Sequence, residues 1–417
     1  MKTNSTNKRK ILNDPIYGFI SIPGGIIFDL VEHPYFQRLR RISQLGLTYV
    51  VYPGAYHTRF HHALGAMHLM QKAILTLRAK GHHISNEEEE AACIAILLHD
   101  IGHGPFSHAM ENSLVNVSHE HISEVIMEML NKAFNGKLDL AILIFQNRYH
   151  RKFLHQLISS QLDVDRLDYL KRDSFYSGVS EGVISSDRII AMLNITNDEL
   201  VVEAKGIYSV EKFIIARRLM YWQVYLHKTV LSAEFTLVKI LQRAKELVKN
   251  GEELFAGKAL HYFLYDDFSA KDFDSKPEVL KRFTELDDYD VITAIKEWCS
   301  HSDKILSMLC QMIIHRRLLK VALENDAFDS ENVETIRKQL MEDMDISEAE
   351  SHYLLFTDSI TNNAYSAQKD RISLQYKNGK LVDIAEASDQ LNISVLTQTV
   401  KKYFLCYPKA YKEGLIK

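Results

Sequence analysis

The order of apolar and polar residues predicts a short β-rich start followed by a long helical stretch. The segment ILNDPIYGFISIP places β-forming residues on both sides of an Asn-Asp-Pro turn signal, which predicts a pair of short strands. From there to about residue 190 the apolar spacing is mostly helical. Ser85 and Glu88 form a capping box that opens a helix running through AACIAILLHD and ending at Gly102. The Gly- and Ser-rich residues Ser174 to Ser186 predict a loop, either a plain connector or a flap over a substrate.

The second half of the chain continues as helices and changes character near its end. Residues 198–209 predict a small hairpin around Lys205-Gly206, and the break-free run from Val210 to Val248 predicts one long helix or two abutting ones. More helices are expected to about residue 345. In the tail, RISLQYKNGKLVDI alternates around Asn378-Gly379, which is a strong hairpin signal. We therefore predict a mainly α fold with small β hairpins, divided into a helical core over residues 1–345 and an α+β appendage over residues 346–417.

Composition narrows the class of protein further. The 417 residues are 46% hydrophobic and carry a formal charge of only -4, which is typical of an ordinary globular chain rather than a disordered one. The low counts of 7 Pro and 17 Gly favour helices. The purest apolar run, Ala91 to Leu98, is far shorter than a membrane span. The 4 widely spaced cysteines form no CxxC pair, so we expect a cytoplasmic protein without a disulfide framework.

The histidines are distributed unevenly along the chain. Of the 19 histidines in the chain, 11 lie between His57 and His121, and several of these stand beside Asp or Glu. Imidazoles and carboxylates together are the ligands of first-row transition metals. The sequence therefore predicts a metal site within residues 57–173.

The most informative pair is His99-Asp100 at the end of an apolar helix. Neighbouring residues inside a helix point about 100° apart, but at a helix end both side chains can turn towards one ion. Taken alone, the pair is also explained by a core histidine beside a capping aspartate. Further ligands can come from His62, in an apolar segment, and from Asp165, which shares a helix face with Asp168 in LDVDRLDYLKRD.

Five ordered blocks of sequence carry a resemblance to a known family. They are NDPIYGFI, FQRLRRISQLG, YPGAYHTRFHHALG, LLHDIGHGPFSH and LDVDRLDYLKRD, with weaker similarity in RRLMYWQVYLHK and LDDYD. The chain resembles the HD-domain phosphohydrolase superfamily, in particular its deoxynucleoside triphosphate (dNTP) triphosphohydrolase branch, which includes the sterile-alpha-motif-and-HD-domain dNTPases and their bacterial relatives. The resemblance implies an HD-domain helical bundle that hydrolyses dNTPs to deoxynucleoside and tripolyphosphate.

The resemblance also implies roles for particular residues. A divalent metal, whether iron, manganese, magnesium, zinc or nickel, is expected on four ligands: His62, His99, Asp100 and Asp165. Acid/base chemistry is expected from His103, His108, Glu111 and His119, with His108 and Glu111 as a pair, and Arg59 is expected to assist catalysis. Substrate contacts are expected from Gln44, Leu45, Arg59, Arg166, Tyr169, Asp173, Arg217 and Tyr225. An activating nucleotide is a further implication, at Glu32, Gln37 and Arg40 between the subunits of a dimer or tetramer.

The chain departs from the family pattern at four positions. His61 replaces a glutamate, Arg166 a lysine, Leu226 a glutamine and Glu32 an aspartate. His61 is expected to be a spare ligand or an outward-facing residue.

Other functions remain open at this point. One alternative is an HD phosphohydrolase acting on another nucleotide phosphoester, and another is a non-catalytic HD module that binds nucleotides or nucleic acid. A zinc-protease motif in HDIGH is rejected, because Gly102 and Gly104-Pro105 break the helix that such a motif needs. The near-neutral charge gives no global case for nucleic acid, and no membrane partner is expected.

Overall fold

A computed structural model describes residues 10–111, 113–363, 365–366, 371–388 and 399–414. The fold is 58% helical with a few small sheets, so the predicted mainly α class is confirmed. No helix in these described ranges combines the length and the apolar composition that a membrane crossing needs. All four cysteines are free, as their spacing predicted.

The described part of the chain begins with the predicted strand pair. Strands β1 (Lys10–Asp14) and β2 (Gly18–Ile22) run antiparallel. The side chain of Asp14 accepts the backbone N–H groups of Ile16 and Tyr17, at 2.9 and 3.0 Å, and so closes the turn between the strands.

The next ten helices build the core that holds the site. Helices α3 and α4 pack against each other, and α9 packs on α3. The bounds are α1 (Ile26–Glu32), α2 (Pro34–Gln37), α3 (Arg59–Ala79), α4 (Asn86–Leu98), α5 (His108–Glu111), α6 (His119–Ala133), α7 (Asp139–Phe145), α8 (Lys152–Ile158), α9 (Val164–Ser177) and α10 (Ser186–Met192).

Helix α4 begins at the predicted capping box but ends earlier than predicted. Its last residue is Leu98, whereas we expected Gly102. Ser123 of α6 explains the early end, since its Oγ donates to the carbonyl of His99 and accepts the N–H of Gly102. A Cβ atom at Gly102 would overlap the α6 backbone, so this turn packs closely only because the residue is glycine.

Two connections also differ from the sequence expectation. The predicted hairpin around Lys205-Gly206 is wrong in position, because β3 (Leu193–Thr196) and β4 (Glu199–Glu203) turn at Asn197 and Asp198. Both turn residues have positive φ, which Asn and Asp tolerate. The expected loop after Ser174 is shorter, since α9 continues to Ser177 and α10 already starts at Ser186.

Of the two alternatives for the run from Val210 to Val248, one long helix or two abutting ones, the structure shows the second. The two helices are α11 (Ile207–Met220) and α12 (Lys228–Lys249), joined by a π-helical turn over Tyr221–Tyr225. Most of the following stretch is helical as predicted, but strand β5 (Lys320–Glu324) interrupts it. The helices are α13 (Lys258–Tyr265), α14 (Ala270–Ser275), α15 (Pro277–Glu285), α16 (Asp288–Trp298), α17 (Lys304–Ile314), α18 (Ser330–Met344) and α19 (Glu348–Ser351).

The tail contains the predicted hairpin and completes two sheets. Its elements are β6 (Phe356–Asn362), β7 (Ser373–Gln375), β8 (Leu381–Asp383), α20 (Ile384–Ala387) and β9 (Val400–Tyr407). Strands β7 and β8 pair around Asn378-Gly379 as expected. The sheets have the orders β3-β4-β7-β8 and β5-β9-β6, so both join strands from either side of residue 345. A domain boundary at this residue stays a prediction.

Candidate metal centre and active site

The structure brings the four expected metal ligands together. His62 lies in the first turns of α3, His99 and Asp100 directly follow α4, and Asp165 lies in the first turn of α9. The Nε2 atom of His62 is 3.0 Å from Oδ1 of Asp165 and 3.8 Å from Oδ2 of Asp100. The Nε2 atom of His99 is 3.4 Å from Oδ1 of Asp100 and 3.5 Å from Oδ1 of Asp165. Three helices therefore aim two imidazoles and two carboxylates at one point.

The hydrogen bonds of the two imidazoles test whether a metal ion fits this point. Nδ1 of His62 donates to Oδ2 of Asp168 at 2.8 Å, and Nδ1 of His99 donates to the carbonyl of Ile96 at 2.6 Å. In the neutral rings the opposite nitrogen, Nε2, then carries a lone pair. Neither Nε2 atom has a hydrogen-bond partner among the described residues, and both face carboxylates. Lone pairs and carboxylates repel each other unless a cation lies between them, so the donor set fits a divalent metal.

Electrostatics in the metal-free protein lead to the same conclusion. Burial lowers the pKa of His62, but the adjacent carboxylates of Asp165 and Asp168 outweigh burial and raise it to about 10. Burial opposes ionisation of Asp165, yet the adjacent imidazoles of His62 and His99 hold its pKa below the usual value. Positive charge is therefore favourable at this point, and a bound metal would replace protons there.

The expected acid/base residues lie beside this cluster. The rings of His103 and His119 stack with centroids 3.7 Å apart, and Nε2 of His103 is 3.3 Å from Oδ1 of Asp100. Nδ1 of His119 donates to Oε1 of Glu111 at 2.8 Å. Burial, assisted by the charge of Arg59, lowers the pKa of His103 to about 3. The side chain of His108 lies outside the described structure, so its pairing with Glu111 stays a prediction.

The three arginines expected at the phosphates differ in their partners. Arg59 pairs through Nη1 with Asp100, and its Nη2 donates to Oγ of Ser107 at 2.7 Å. Arg166 pairs with Asp163, the N-cap residue of α9. The Nε atom of Arg217 is buried and has no hydrogen-bond partner within the described part of the chain.

The expected sugar-side residues form a buried network. Asp173 accepts from the hydroxyl of Tyr225 and from Nε2 of His57, at 2.7 Å each. The ring of Tyr225 meets that of Tyr169 edge to face, with centroids 6.3 Å apart, and Tyr169 lies 6.5 Å from the ring of His62. These aromatic rings therefore lie close to the metal cluster.

The segment that is expected to contact the nucleotide base, Gln44 and Leu45, is hydrogen-bonded to the same region. Gln44 and Leu45 are partly buried, and the backbone N–H of Gln44 donates to the carbonyl of His57 at 3.0 Å. The Oε1 atom of Gln44 is buried and has no hydrogen-bond partner among the described residues. A ligand donor could satisfy this oxygen.

Known proteins share both the sequence and the fold. The HD domain family model matches residues 59–173, and the HD associated region matches residues 184–262. An uncharacterised protein of Bacillus subtilis, YwfO, is 35% identical over 321 residues, covering 75% of this chain and 72% of the relative. A crystal structure of a phosphohydrolase from Bacteroides thetaiotaomicron has a TM-score of 0.93 and 53% identity, covering 96% of this chain and 100% of that one. The chain belongs to the HD-domain phosphohydrolase family.

Relatives of this HD-domain protein include a named dNTPase. The deoxynucleoside triphosphate triphosphohydrolase SAMHD1 homolog of Dictyostelium discoideum is 31% identical over 271 residues, covering 60% of this chain and 52% of the relative. The resemblance inferred from the sequence motifs is thereby confirmed, and HD domains bind divalent metals.

Asp288 is a buried aspartate that connects two loops of this HD-domain protein, a role that the sequence did not indicate. Asp288, the first residue of α16, accepts the N–H of Ser43 at 2.8 Å and the N–H of Phe106 at 3.1 Å. Phe106 and Ser107 have φ values of 50° and 42°, which non-glycine residues rarely adopt. Asp288 therefore anchors both the segment that carries Gln44 and the strained turn that leads to α5.

The role of Asp168 is a second one that the sequence did not indicate. The sequence predicts only that Asp168 shares a helix face with Asp165, whereas in the structure its Oδ2 accepts from Nδ1 of the metal-ligand candidate His62. The available sequence signal was the i, i+4 spacing of Asp168 and Arg172, which allows an ion pair on one helix face. Such a pair within an apolar helix segment indicates a structural role for both residues. His61, whose role the sequence left open, caps α3 through Thr58, with Nδ1 of His61 lying 2.9 Å from Oγ1 of Thr58. In this structure His61 is thus a capping residue.

Proposed function

We propose that the protein is a metal-dependent dNTP triphosphohydrolase that releases deoxynucleoside and intact tripolyphosphate. The observation that carries the proposal is the meeting of two imidazole lone pairs with the carboxylates of Asp100 and Asp165. Arginines and aromatic residues border this point, which suits a triphosphate joined to a sugar. The named dNTPase among the relatives supports the choice of substrate.

His62, His99, Asp100 and Asp165 would hold the metal. A divalent ion there would polarise a phosphoryl oxygen and lower the pKa of a bound water. Imidazole ligands suit iron, zinc and nickel, whereas carboxylate ligands suit manganese and magnesium, so the mixed donor set is compatible with each of these ions. The second nitrogen of His62 is held by Asp168, so the ring keeps Nε2 directed at the ion.

The remaining residues bind the substrate and move protons. Water attacks the α-phosphorus, the bond from phosphorus to O5′ breaks, and O5′ takes up a proton. His119, oriented by Glu111, is the described imidazole that we assign to proton exchange, together with the predicted His108. Arg166 and Arg217 neutralise the triphosphate, and Arg59 holds Asp100 while facing the same space.

Sugar recognition is assigned to the Asp173 network. The hydroxyl of Tyr225 and the ring of His57 fix the Asp173 carboxylate, while the rings of Tyr169 and Tyr225 supply apolar walls. An apolar wall against C2′ accepts a deoxyribose and leaves the 2′-hydroxyl of a ribose without a partner. Gln44 and Leu45 would contact the base.

Activation by a second nucleotide and assembly into a dimer or tetramer remain proposals. Two of the three residues concerned already contact each other, since Nε of Arg40 donates to Oε1 of Gln37 at 2.8 Å. Glu32 forms an ion pair with Lys10 of β1. Light scattering with and without nucleotides would test the assembly, and a monomeric mass under all conditions would refute it.

The deciding experiment is a product analysis. The protein, loaded with Mn²⁺ or Mg²⁺, is incubated with each dNTP singly and with all four together, and the products are separated by anion exchange. We expect nucleoside and intact tripolyphosphate in equal amounts. Release of orthophosphate, or of pyrophosphate with nucleoside monophosphate, would place cleavage at a phosphoanhydride bond and refute the proposed reaction. No product with any metal would favour either another phosphoester substrate or a binding module.

A further inference from the structure

A chain of buried polar groups connects the N-terminal hairpin with the proposed metal site. Oδ2 of Asp14 accepts from Nη1 of Arg172 at 2.7 Å. Arg172 then donates from Nε and Nη2 to the two oxygens of Asp168, at 2.9 and 3.0 Å. Asp168 in turn accepts from Nδ1 of His62 at 2.8 Å. Three hydrogen-bonded links therefore separate Asp14 from an imidazole expected on the metal.

Each link is shielded from water. The side chains of His62, Asp168 and Arg172 are fully buried, and that of Asp14 is 5% exposed. One guanidinium thus lies between two carboxylates where solvent cannot screen or replace it. Because Asp14 binds the Arg172 guanidinium on one side, this guanidinium has little freedom to move. It therefore holds the Asp168 carboxylate, which orients the ring of His62, in place.

The residues around this chain pack closely against it. A Cβ atom at Gly65 of α3 would overlap both the Asp168 carboxylate and the Arg172 guanidinium, so the pair passes α3 only because residue 65 is glycine. On the other side the ring of Tyr17 lies 5.7 Å from Cζ of Arg172. Arg172 is therefore enclosed by the hairpin and α3.

We propose that Asp14 is a positioning residue of the metal site, acting through Arg172 and Asp168 on the ring of His62. The N-terminal hairpin is then part of the machinery that sets metal affinity, although none of its residues reaches the ion. This inference rests on the proposed metal site but not on the identity of the substrate.

The test is the affinity for Mn²⁺ alone, measured by competition with a chelator, in the full chain and its variants. Asp14→Asn is the informative change. It keeps an oxygen for the N–H groups of Ile16 and Tyr17 and removes the charge that binds Arg172. Loss of a partner behind a metal-bound histidine typically weakens metal affinity about 10- to 100-fold, and we expect roughly 10-fold because Asp14 acts through two residues.

The matched control is Asp187→Asn. Asp187 also pairs with a cation near α3, at 3.0 Å from Nζ of Lys72 on that helix, but both side chains are exposed. The Mn²⁺ affinity of Asp187→Asn is expected to stay at the wild-type value.

Arg172→Lys is a second test variant. It keeps a positive charge but lacks the planar guanidinium that binds Asp14 and Asp168 together, so it is expected to weaken Mn²⁺ binding as well. This variant decides the question if Asp14→Asn does not fold.

The outcomes separate this inference from the proposed activity. If folded Asp14→Asn binds Mn²⁺ with unchanged affinity, the positioning role is overturned and the proposed activity is left intact. The same conclusion follows from unchanged affinity in folded Arg172→Lys if Asp14→Asn does not fold. If the wild type binds Mn²⁺ through Asp165 but hydrolyses no dNTP, the proposed activity fails and the affinities still decide the role of Asp14. If Mn²⁺ binding does not depend on Asp165, both the metal site and the positioning role are refuted.

Discussion

Both terminal nitrogens of Arg38 donate to the carbonyl oxygen of His103, at 2.9 and 2.7 Å. Arg38 is fully buried, and its guanidinium lies 5.2 Å from the ring centre of Phe283. Burial lowers the pKa of Arg38 to about 10, although the nearby Asp287 raises it, so the side chain stays charged at neutral pH. The buried Arg38 thus holds the backbone carbonyl of His103, whose ring stacks on that of His119.

Replacing Arg38 by lysine is expected to loosen the turn that carries His103. An ammonium group cannot place two donors on one oxygen in the same plane, and its burial without a second partner is costly. We expect kcat to fall about 10-fold, and the free energy of unfolding to fall by about 1–3 kcal/mol. Turnover and chemical denaturation measure these effects. Arg282→Lys on the same helix as Phe283 is the control, and equal effects from both variants would show that Arg38 has no special role.

Metal loading is expected to depend on Asp165. Asp165→Ala removes a carboxylate that faces both His62 and His99, so we expect loss of the bound metal and of turnover. The protein should remain folded, because the side chain of Asp165 is 24% exposed and His62 keeps its hydrogen bond to Asp168. Elemental analysis gives the metal content, and circular dichroism tests the fold. Wild-type protein stripped with a chelator should regain activity when metal is added, whereas the variant should not. Full activity in Asp165→Ala would refute the assignment.

The two loops anchored by Asp288 are expected to loosen together. Asp288→Ala leaves the N–H groups of Ser43 and Phe106 without their acceptor, at a cost of about 1–3 kcal/mol in the free energy of unfolding. Because one loop carries Gln44 and the other leads to His108, we expect KM to rise and kcat to fall. Steady-state kinetics and thermal unfolding check both effects. Glu297→Gln, at an exposed position of α16, should leave both unchanged. A variant that loses stability but keeps its kinetics would exclude a role in the site.

The sequence predicted the candidate metal ligands because each ligand is tied to a local signal. His99 and Asp100 follow an apolar helix, and Asp165 shares a helix face with Asp168. The same reasoning predicted the hairpins at Asn378-Gly379 and at the N-terminus, since turn chemistry is local.

What the sequence could not supply are partners that only the tertiary fold brings together. Asp14 and Arg172 are 158 positions apart and Phe106 and Asp288 are 182 apart, and no spacing rule connects such residues. The end of α4 was missed for the same reason, because Ser123 of another helix takes the backbone groups that a longer α4 would have used. The hairpin turns at Asn197-Asp198 and not at the predicted Lys205-Gly206, because Asn and Asp also tolerate the positive φ for which glycine is the stronger sequence signal.

The ring of Tyr225 is expected to separate deoxyribonucleotides from ribonucleotides, while its hydroxyl group sets affinity. Tyr225→Ala removes the apolar wall beside Tyr169, so we expect ribonucleoside triphosphates to become substrates and the preference for dGTP over GTP to fall about 10-fold or more. Tyr225→Phe is the matched control. It keeps the ring and loses only the hydrogen bond to Asp173, so KM should rise a few-fold, consistent with about 1 kcal/mol for one hydrogen bond, and the preference for dGTP should persist. The ratio of kcat/KM for dGTP and GTP measures the preference in each variant. Equal loss of preference in both variants would mean that the hydroxyl group, and not the ring, rejects the ribose, because only the hydroxyl is absent from both.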